Sequence, residues 1–395
     1  MRYGASQILE KISCLNRVVY LDHNATTPVL PEVFEVIRPY FCDEWGNPSS
    51  SYRFGSKLKR VLEVAREEVA SLIGAHPCEI LFTSGGTESN NAAIHASLKA
   101  QPGKRHIITS AVEHSSVLSY CRALEREEDC EVTYLPVDRD GLLSLTDLEN
   151  ALRPDTAVVS LMWANNETGV LFPIEKIALL CRARGVLLHC DAVQAVGKLR
   201  VDVREAPVDY LSMTGHKLGA PKGIGALYVR NKAPFAPYLH GGHQERSRRG
   251  GTENVPFIVG LGHAAQLAAK YLARYDKRVR PLRDALEEGL LAAIPGAERN
   301  GHPAERIANT TNLTFHGIES EALLLLLDGS GICASSGSAC LADSPDPSHV
   351  IAAMKPGPAA RQMIRFSLGW DSPLDEIREA IATVQRCVAS LRSMR

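Results

Sequence analysis

Short, almost wholly apolar segments alternate with helical segments through the first two thirds of this 395-residue chain. Because a strand that is apolar throughout must be covered on both faces, this alternation predicts an α/β fold with a mainly parallel sheet between helices. The segment Ser56–Gly74 has apolar residues at helical spacing, which predicts a helix that Ser56 caps and Gly74 ends. The predicted strands are Glu79–Thr83, His106–Thr109, Val132–Pro136, Ala157–Trp163, Val186–Cys190, Tyr210–Met213 and Ala226–Val229.

The pattern changes after about residue 260, where long helical segments surround two short apolar runs. This change indicates a second, smaller α+β domain, and the length of the chain agrees with more than one domain. The segment Gly260–Ala265 fits the loose G-x-G-x-x-A pattern of dinucleotide sites, but it lies inside a helical stretch. We therefore interpret its small residues as a close contact between helices. The predicted helices of this part are Val259–Arg274, Pro281–Ala293 and Leu374–Met394.

Charge and composition exclude several classes of function. The formal net charge is -1, so the chain lacks the excess of basic residues that nucleic acids or anionic membranes attract. The sequence contains neither an apolar run of the ~20 residues that span a bilayer nor the apolar stretch of a secretory signal. The ten cysteines form no C-x-x-C pair, so no metal site is predicted. A cytoplasmic protein is therefore expected.

Ligands of open parallel sheets bind beyond the carboxyl ends of the strands, so the residues after each predicted strand are candidates for a site. The segment Ser84–Ser89 is glycine-rich and opens a helix, which offers backbone N–H groups to a phosphate or carboxylate. An ordinary tight turn is the alternative. His114 and Asn166 follow two other strands, and each on its own is typical of an ordinary edge or turn residue.

Asp191 follows one predicted strand directly, and Lys217 follows the next one along the chain. A buried carboxylate needs a cationic or N–H partner, for which a helix N-terminus and a protonated pyridine nitrogen are the alternatives. Most lysines are surface groups, but one at a strand end in a glycine-rich turn is a candidate for imine chemistry. With the turn Ser84–Ser89, these residues match the three demands of pyridoxal phosphate: N–H groups for the phosphate, an acid for the ring nitrogen and an amine for the aldehyde.

One cysteine stands apart from the others. Cys340 lies in the segment Ser335–Pro347, where small residues precede it and turn-forming residues follow it. This composition predicts a mobile, exposed loop, and a thiol in such a loop is a candidate nucleophile. Mobility would suit a sulfur carrier, which must collect its cargo in one place and deliver it in another. An incidental exposed cysteine is the alternative.

In combination, these residues resemble the cysteine desulfurases of the nitrogen-fixation and iron–sulfur-cluster type, a group of the class V aminotransferases. The resemblance runs from about Tyr20 nearly to the C-terminus and implies the fold type I of pyridoxal-phosphate enzymes, with a seven-stranded sheet. It also implies a large cofactor-binding domain, residues 30–275, and a small domain formed by residues 1–29 and 276–395 that carries Cys340. The matching motifs are Leu21–Thr27, Gly46–Ser50, Ala164–Gly169, Asp191–Gln194, Gly215–Lys217, Gly241–Glu245, Gly251–Asn254, Ser335–Cys340 and Arg365–Leu368.

The resemblance implies the conversion of L-cysteine to L-alanine, with the sulfur left on Cys340 as a persulfide. Lys217 would hold pyridoxal phosphate through an imine and then move the Cα proton, while His114 would stack on the ring and assist. Asp191 would pair with the ring nitrogen, and Gln194 would bond the ring oxygen. The other implied cofactor-binding residues are Gly86, Thr87, Thr214, His216 and, from the second subunit of a homodimer, Thr252. The implied substrate-binding residues are Asn24, Asn166 and Arg365.

The implied partner is a sulfur-acceptor protein such as an iron–sulfur scaffold, and the implied pathway is iron–sulfur cluster assembly, including that of nitrogenase. A selenocysteine lyase or another class V reaction is an alternative, and so is a non-catalytic assembly scaffold. The chain departs from the family pattern at His23 and at Leu341 and Ala342, which follow the cysteine. These departures bear on loop docking and on the choice of acceptor.

Overall fold

The structure, a computed structural model, describes residues 18–337 and 347–394. Its strands are β1 (Val19–Tyr20), β2 (Ile80–Thr83), β3 (His106–Ser110), β4 (Glu131–Leu135), β5 (Thr156–Met162), β6 (Leu187–Asp191), β7 (Tyr210–Thr214), β8 (Gly225–Val229), β9 (Ala297–Arg299), β10 (Thr310–Phe315), β11 (Ile332–Cys333) and β12 (Met363–Ser367). Its helices are α1 (Pro31–Ile37), α2 (Leu58–Leu72), α3 (Gly86–Lys99), α4 (Ser115–Glu127), α5 (Leu145–Ala151), α6 (Ile174–Ala183), α7 (Val255–Ala293), α8 (Ser320–Asp328), α9 (His349–Met354) and α10 (Leu374–Ser393). Shorter helical turns span Pro39–Cys42, Arg53–Ser56, Pro77–Glu79, Gly215–Lys217, Gln244–Ser247 and Pro358–Arg361.

Seven strands form the central sheet in the order β2-β8-β7-β6-β5-β3-β4. The pairs between β7 and β4 in this order are all parallel, whereas β8 runs antiparallel to both β2 and β7. The predicted α/β fold with a mainly parallel sheet is therefore confirmed. Each predicted strand is present, and no bound differs from its prediction by more than one residue.

Neighbouring residues of the central strands face two different apolar layers. Ile108 and Leu188 belong to one buried cluster, and Ile107 and Leu187 belong to another that includes residues of α3 and α4. The sheet is thus covered on both faces, which explains why its strands are apolar almost throughout.

Two predictions about helix ends were wrong. Ser56 does not cap α2, because it belongs to the separate turn Arg53–Ser56 and α2 begins at Leu58. The helices predicted at Val259–Arg274 and Pro281–Ala293 are one continuous helix, α7, which contains Pro281 in its interior. Tyr275 and Val279 before the proline and Leu286 after it are buried in one apolar cluster, and this packing offsets the hydrogen bond that proline removes.

The prediction that Gly260–Ala265 serves helix packing is confirmed. This segment lies inside α7, and a Cβ on Gly262 would come within 2.6 Å of the Cα of Ala65 in α2. Only a residue without a side chain fits between the two helices at this point.

The smaller unit contains an antiparallel sheet in the order β12-β10-β9 and a parallel pair of β1 and β11. Its core combines residues from both ends of the chain, among them Val19, Leu323 and Ile377. The division into residues 30–275 and the remainder stays a prediction, since α7 continues through the proposed boundary. None of the described helices has the length and apolar character needed to cross a membrane.

A buried carboxylate on α7 holds the smaller unit together. Glu287 accepts hydrogen bonds from Arg306 at 2.5 and 2.7 Å and from Thr311 at 2.6 Å. Burial alone would raise the pKa of Glu287, but these hydrogen bonds and the charge of Arg306 outweigh it and hold the pKa at about 2. The ionised form of Glu287 therefore stabilises the folded chain.

Because the pKa of Glu287 is lower in the folded than in the unfolded chain, its contribution is present above about pH 4.5 and is lost on acidification. Between pH 6 and pH 3 the wild type is expected to lose about 2 kcal/mol more unfolding free energy than Glu287→Gln. Urea unfolding of both proteins across this pH range measures the difference. Parallel losses in the two proteins would contradict the assignment.

Candidate active site

The carboxyl ends of the parallel strands border an open cavity of about 160 Å³. Thr252 lines a separate depression together with Glu245 and Arg249, and Cys340 lies outside the described residues. The predicted site residues that line the cavity itself are Asn24, Gly86, Thr87, His114, Asn166, Asp191, Gln194, Thr214, His216, Lys217 and Arg365. The structure therefore brings into one place residues that are up to 341 positions apart in the sequence.

The N-terminus of α3 forms one wall of the cavity. Gly86 and Thr87 are its first residues, and the N–H groups of a first helical turn have no partners within the helix. A Cβ on Gly86 would lie 3.0 Å from Val193, so the glycine lets the backbone come close to the neighbouring loop. This wall is suited to an anion such as a phosphate.

His216 lines the same cavity from the turn that follows β7. Burial, together with the nearby charge of Lys217, lowers the pKa of His216 to about 4. The imidazole is therefore neutral near pH 7, and its Nδ1 lies 3.2 Å from Oγ1 of Thr26. A neutral imidazole at this position can offer an anion a hydrogen bond but no positive charge.

Asp191 ends β6 and is buried beside the cavity. Its Oδ2 accepts a hydrogen bond of 2.7 Å from the side-chain amide of Asn90, and its Oδ1 accepts one of 3.0 Å from the backbone of Val193. The N–H partner that a buried carboxylate requires is thus supplied by the chain. These bonds fix the carboxylate at the edge of the cavity, where it can accept a further donor from a ligand.

Lys217 ends the turn Gly215–Lys217, which directly follows β7. Its Nζ donates to the backbone carbonyl oxygens of Asn24 and Ala25, and it lines the same cavity as Asp191. Hydrogen bonds therefore join the amine to the segment that follows β1.

His114 caps the start of α4. Its Nδ1 accepts a hydrogen bond of 3.2 Å from the backbone N–H of Ser116 and lies 2.8 Å from the Ser116 hydroxyl. Because Nδ1 is the acceptor, the proton of the neutral ring is on Nε2. The ring is thus fixed at the cavity with its other nitrogen able to donate.

Arg365 on β12 is almost fully buried, with 1% of its surface exposed. Nη2 donates to Oδ1 of Asp22 at 2.6 Å, and Nη1 donates to the backbone oxygen of Asn166 at 3.1 Å. Its buried Nε has no hydrogen-bond partner among the described residues. A buried donor without a partner is costly, so this guanidinium is suited to a ligand carboxylate.

Comparison with known proteins identifies the family, since residues 19–379 match the aminotransferase class-V family. This chain belongs to that family. Cysteine desulfurase 2 of Trichormus variabilis is 52% identical over 378 residues, which are 95% of this chain and 94% of the relative. The cysteine desulfurase NifS of Azotobacter vinelandii is 50% identical over the same shares of both chains. A solved structure of a NifS-like protein matches with a TM-score of 0.88 and 35% identity, over 94% of this chain and 99% of the other.

Class-V aminotransferases depend on pyridoxal phosphate, and the cavity fits this group. The wall at Gly86 offers N–H groups, Asp191 offers a fixed carboxylate, and Lys217 offers an amine. The unpartnered Nε of Arg365 adds a donor for the carboxylate of an amino acid. Each part of the cofactor and its substrate thus finds the complementary chemistry in this class-V enzyme.

Three residues that support the cavity are not among the predicted site residues. Asn90 holds Asp191, Asp22 holds Arg365, and Lys198 donates to both Gln194 and Asn24. A buried carboxylate at a strand end indicates that a donor must exist, but it does not say which residue supplies it. Asp22 follows an apolar run directly, as Asp191 does, and this was the signal that could have revealed it.

Proposed function

We propose that this chain is a cysteine desulfurase in which Lys217 holds pyridoxal phosphate, Arg365 binds the carboxylate of L-cysteine and Cys340 receives the sulfur. One observation carries the proposal: an amine, a fixed carboxylate, a helix N-terminus and a buried guanidinium line the same cavity. The identity of 52% to a cysteine desulfurase supports the choice of this reaction within the class-V family.

Thr87 in the first turn of α3, together with Thr214 and His216, would hold the phosphate of the cofactor. Asp191 pairs with the ring nitrogen, and Gln194 donates to the ring oxygen. When bound, pyridoxal phosphate delocalises the electron pair that remains when a proton leaves the substrate Cα.

Lys217 has two tasks. Its Nζ would hold the cofactor in the resting enzyme, and the same nitrogen would take the proton from Cα of L-cysteine. The carbonyl oxygens of Asn24 and Ala25 orient Nζ for this transfer. His114, with its proton on Nε2, would stack on the ring of the cofactor and assist the proton transfer.

Arg365 orients the substrate. Asp22 and the backbone oxygen of Asn166 hold the guanidinium in place, so its remaining donors meet the carboxylate of L-cysteine without further reorganisation. Asn24 and Asn166 complete the wall of the cavity around the substrate.

Cys340 takes the sulfur of L-cysteine by nucleophilic attack. Its thiolate attacks the sulfur of the substrate, an S–S bond forms and the C–S bond breaks, and the bonding electrons stay on carbon. The carbon is reduced and takes up a proton to become the methyl group of L-alanine, while the sulfur is oxidised to a persulfide on Cys340. No external oxidant or reductant is required for this step.

Exposed aromatic and apolar side chains support the proposal of a homodimer. Trp45 is 67% exposed and Tyr52 is 59% exposed, values that suit a contact with a second copy. The exposed Leu239 accepts a backbone hydrogen bond of 2.9 Å from Gly250, close to Thr252. A dimer contact at the segment that contains Leu239 and Gly250 would let Thr252 reach the phosphate in the site of the second subunit.

The proposal is tested by L-alanine and sulfide release from L-cysteine in the presence of a thiol reductant. The wild type is expected to release both in equal amounts, and Cys340→Ala is expected to lose at least about 100-fold in rate, because the nucleophile is absent. Cys78→Ala, which removes an exposed cysteine outside the cavity, serves as the matched control and should keep full activity.

Other outcomes distinguish the alternatives. Full activity of Cys340→Ala would indicate direct elimination, as in a selenocysteine lyase. Inactivity of the wild type with bound cofactor would indicate another class-V reaction, and absence of cofactor would indicate a scaffold.

We also propose that the persulfide passes to a scaffold protein for iron–sulfur clusters in the cytoplasm. The support is the relative named NifS, which is 50% identical to this chain. Labelled sulfur on Cys340 should appear on an added scaffold protein, and retention of the label on this chain would contradict the proposal.

A further inference from the structure

Lys198 is a buried lysine outside the set of predicted site residues. Only 7% of its surface is exposed, and its Nζ donates to Oδ1 of Asn24 at 2.9 Å and to Oε1 of Gln194 at 2.5 Å. Lys198 forms no ion pair within residues 18–337 and 347–394. Its contacts are therefore with neutral amide oxygens.

The two amides can face Lys198 in only one orientation. Nε2 of Gln194 donates to the backbone oxygen of Asn24 at 3.0 Å, and Nδ2 of Asn24 donates to the backbone oxygen of Asn166 at 3.1 Å. A backbone oxygen can only accept, so the amide oxygens of both side chains must point towards Lys198. Lys198 is consequently the donor in both contacts.

The pairing does not require a charge on Lys198. Burial, followed by the charges of Lys217 and Arg365, holds the pKa of Lys198 far below that of a surface lysine. A neutral amine still has two N–H groups, which is the number of acceptors that Lys198 meets. The role of Lys198 is thus hydrogen bonding in either protonation state.

Both amides line the cavity beside Lys217. The backbone oxygen of Asn24 accepts hydrogen bonds from Nζ of Lys217 and from Nε2 of Gln194, so the amine and the amide share one acceptor. One N–H of Gln194 is used in this bond, and the second N–H of its amide group remains for a ligand in the cavity. If Gln194 lost its bond to Lys198, its amide could rotate and withdraw this donor.

We infer that Lys198 is a positioning residue that fixes the amide of Gln194 and so directs one N–H of Gln194 at the ring oxygen of the cofactor. The inference rests on the proposed function, since it requires pyridoxal phosphate in the cavity. An N–H donated to this oxygen favours the form of the bound cofactor in which the oxygen carries more negative charge. Loss of the donor therefore raises the pH midpoint at which the absorbance of the bound cofactor changes.

The test compares Lys198→Met, which keeps the length of the side chain and removes the donor, with the wild type. The variant is expected to raise the midpoint of the absorbance titration by about one pH unit and to weaken binding of pyridoxal phosphate to the apoprotein about tenfold, the scale of one hydrogen bond. Gln194→Ala should give the same shift of the midpoint. Lys198→Met in the Gln194→Ala background should then add nothing, because the lysine acts through the glutamine.

Lys355 provides a matched control. It is also mostly buried and donates to Asn300 at 3.1 Å and to the backbone of Arg299 at 3.2 Å, but it does not line the cavity. Lys355→Met should lower the thermal midpoint and leave the absorbance titration unchanged. Lys198→Gln, which keeps a donor, should shift the midpoint less than Lys198→Met does. Lys198→Leu, which also removes the donor, replaces Lys198→Met if that variant does not fold.

The outcomes separate this inference from the proposed function. A wild type without an absorbance band that depends on Lys217 would overturn both. A normal band in the wild type with an unchanged midpoint in Lys198→Met would overturn the inference alone, and so would a full additional shift in the double variant.

Discussion

Replacement of Lys217 by alanine is expected to remove the visible absorbance band of lysine-bound cofactor and to lower the turnover of L-cysteine by at least about 10³-fold. In the proposed mechanism the amine would carry both the covalent bond to the cofactor and the transfer of the Cα proton, so one substitution would remove two functions. Pyridoxal phosphate should still bind, because the walls formed by Thr87, Asp191 and Arg365 do not depend on this side chain.

Borohydride reduction provides a direct measurement. In the wild type it should fix the cofactor to the peptide that contains Lys217, which mass spectrometry identifies. Lys222→Ala, which removes an exposed lysine five positions further along the chain, is the matched control and should keep both the band and the activity. Lys198 is the competing amine, since its Nζ is buried next to Gln194 and Asn24. Attachment to Lys198 in the wild type would contradict the assignment of Lys217.

The sequence predicted the features of this fold that depend on local pattern. Every central strand was placed to within one residue, because strands covered on both faces are apolar throughout and are bounded by polar turns. The residues after these strands were predicted to meet, because the carboxyl ends of parallel strands share one edge of the sheet. His114, Asp191 and Lys217 accordingly line one cavity.

Features that depend on contacts between distant segments were not predictable in the same way. Pro281 is a helix breaker in any local window, and only the burial of its neighbours in the smaller unit explains why α7 continues. Asn90 lies 101 positions from Asp191, and Lys198 lies 174 positions from Asn24. Nothing in the spacing of such residues reveals a contact that the fold alone creates.

The turn Gln244–Ser247 is the most strained segment of the described backbone. Glu245, Arg246 and Ser247 have φ angles of 48°, 59° and 62°, a conformation that costs a residue with a side chain about 1–2 kcal/mol. Such a conformation persists only where surrounding contacts impose it. The turn precedes Thr252, so the contacts that hold it also determine where the proposed dimer contact lies.

A buried ion pair supplies these contacts. The guanidinium of Arg66 donates to the two carboxylate oxygens of Glu245 at 2.7 and 2.8 Å, and both side chains are 5% exposed. The same carboxylate accepts a bond of 3.0 Å from the backbone of Phe82 in β2, and Arg66 donates to the backbone of Ile80 at 2.9 Å. The pair therefore ties the strained turn to α2 and to the edge of the central sheet.

Glu245→Gln is expected to lower the unfolding free energy by about 3–5 kcal/mol, because the charge of Arg66 would remain buried without its principal partner. Denaturant unfolding at pH 7 measures the loss. Glu63→Gln is the matched control, since Glu63 contacts the same guanidinium at 3.1 Å but is 42% exposed. Exposed pairs contribute about 0–1 kcal/mol, so the control should lose little.

The double variant Arg66→Met/Glu245→Gln shows why Glu245→Gln loses unfolding free energy. The cause is either a general loss of packing or the uncompensated charge of Arg66. Removal of the guanidinium together with the carboxylate leaves no buried charge, so the double variant should be more stable than Glu245→Gln alone. A double variant that is less stable than Glu245→Gln would mean that Arg66 contributes through its contacts with Ile80 and the Phe82 ring, whose centre lies 4.6 Å from the guanidinium carbon. In the expected case, the affinity for the cofactor should fall in the variants whose unfolding free energy falls, because displacement of this turn would also displace Thr252 from the phosphate that we propose it reaches in a second subunit.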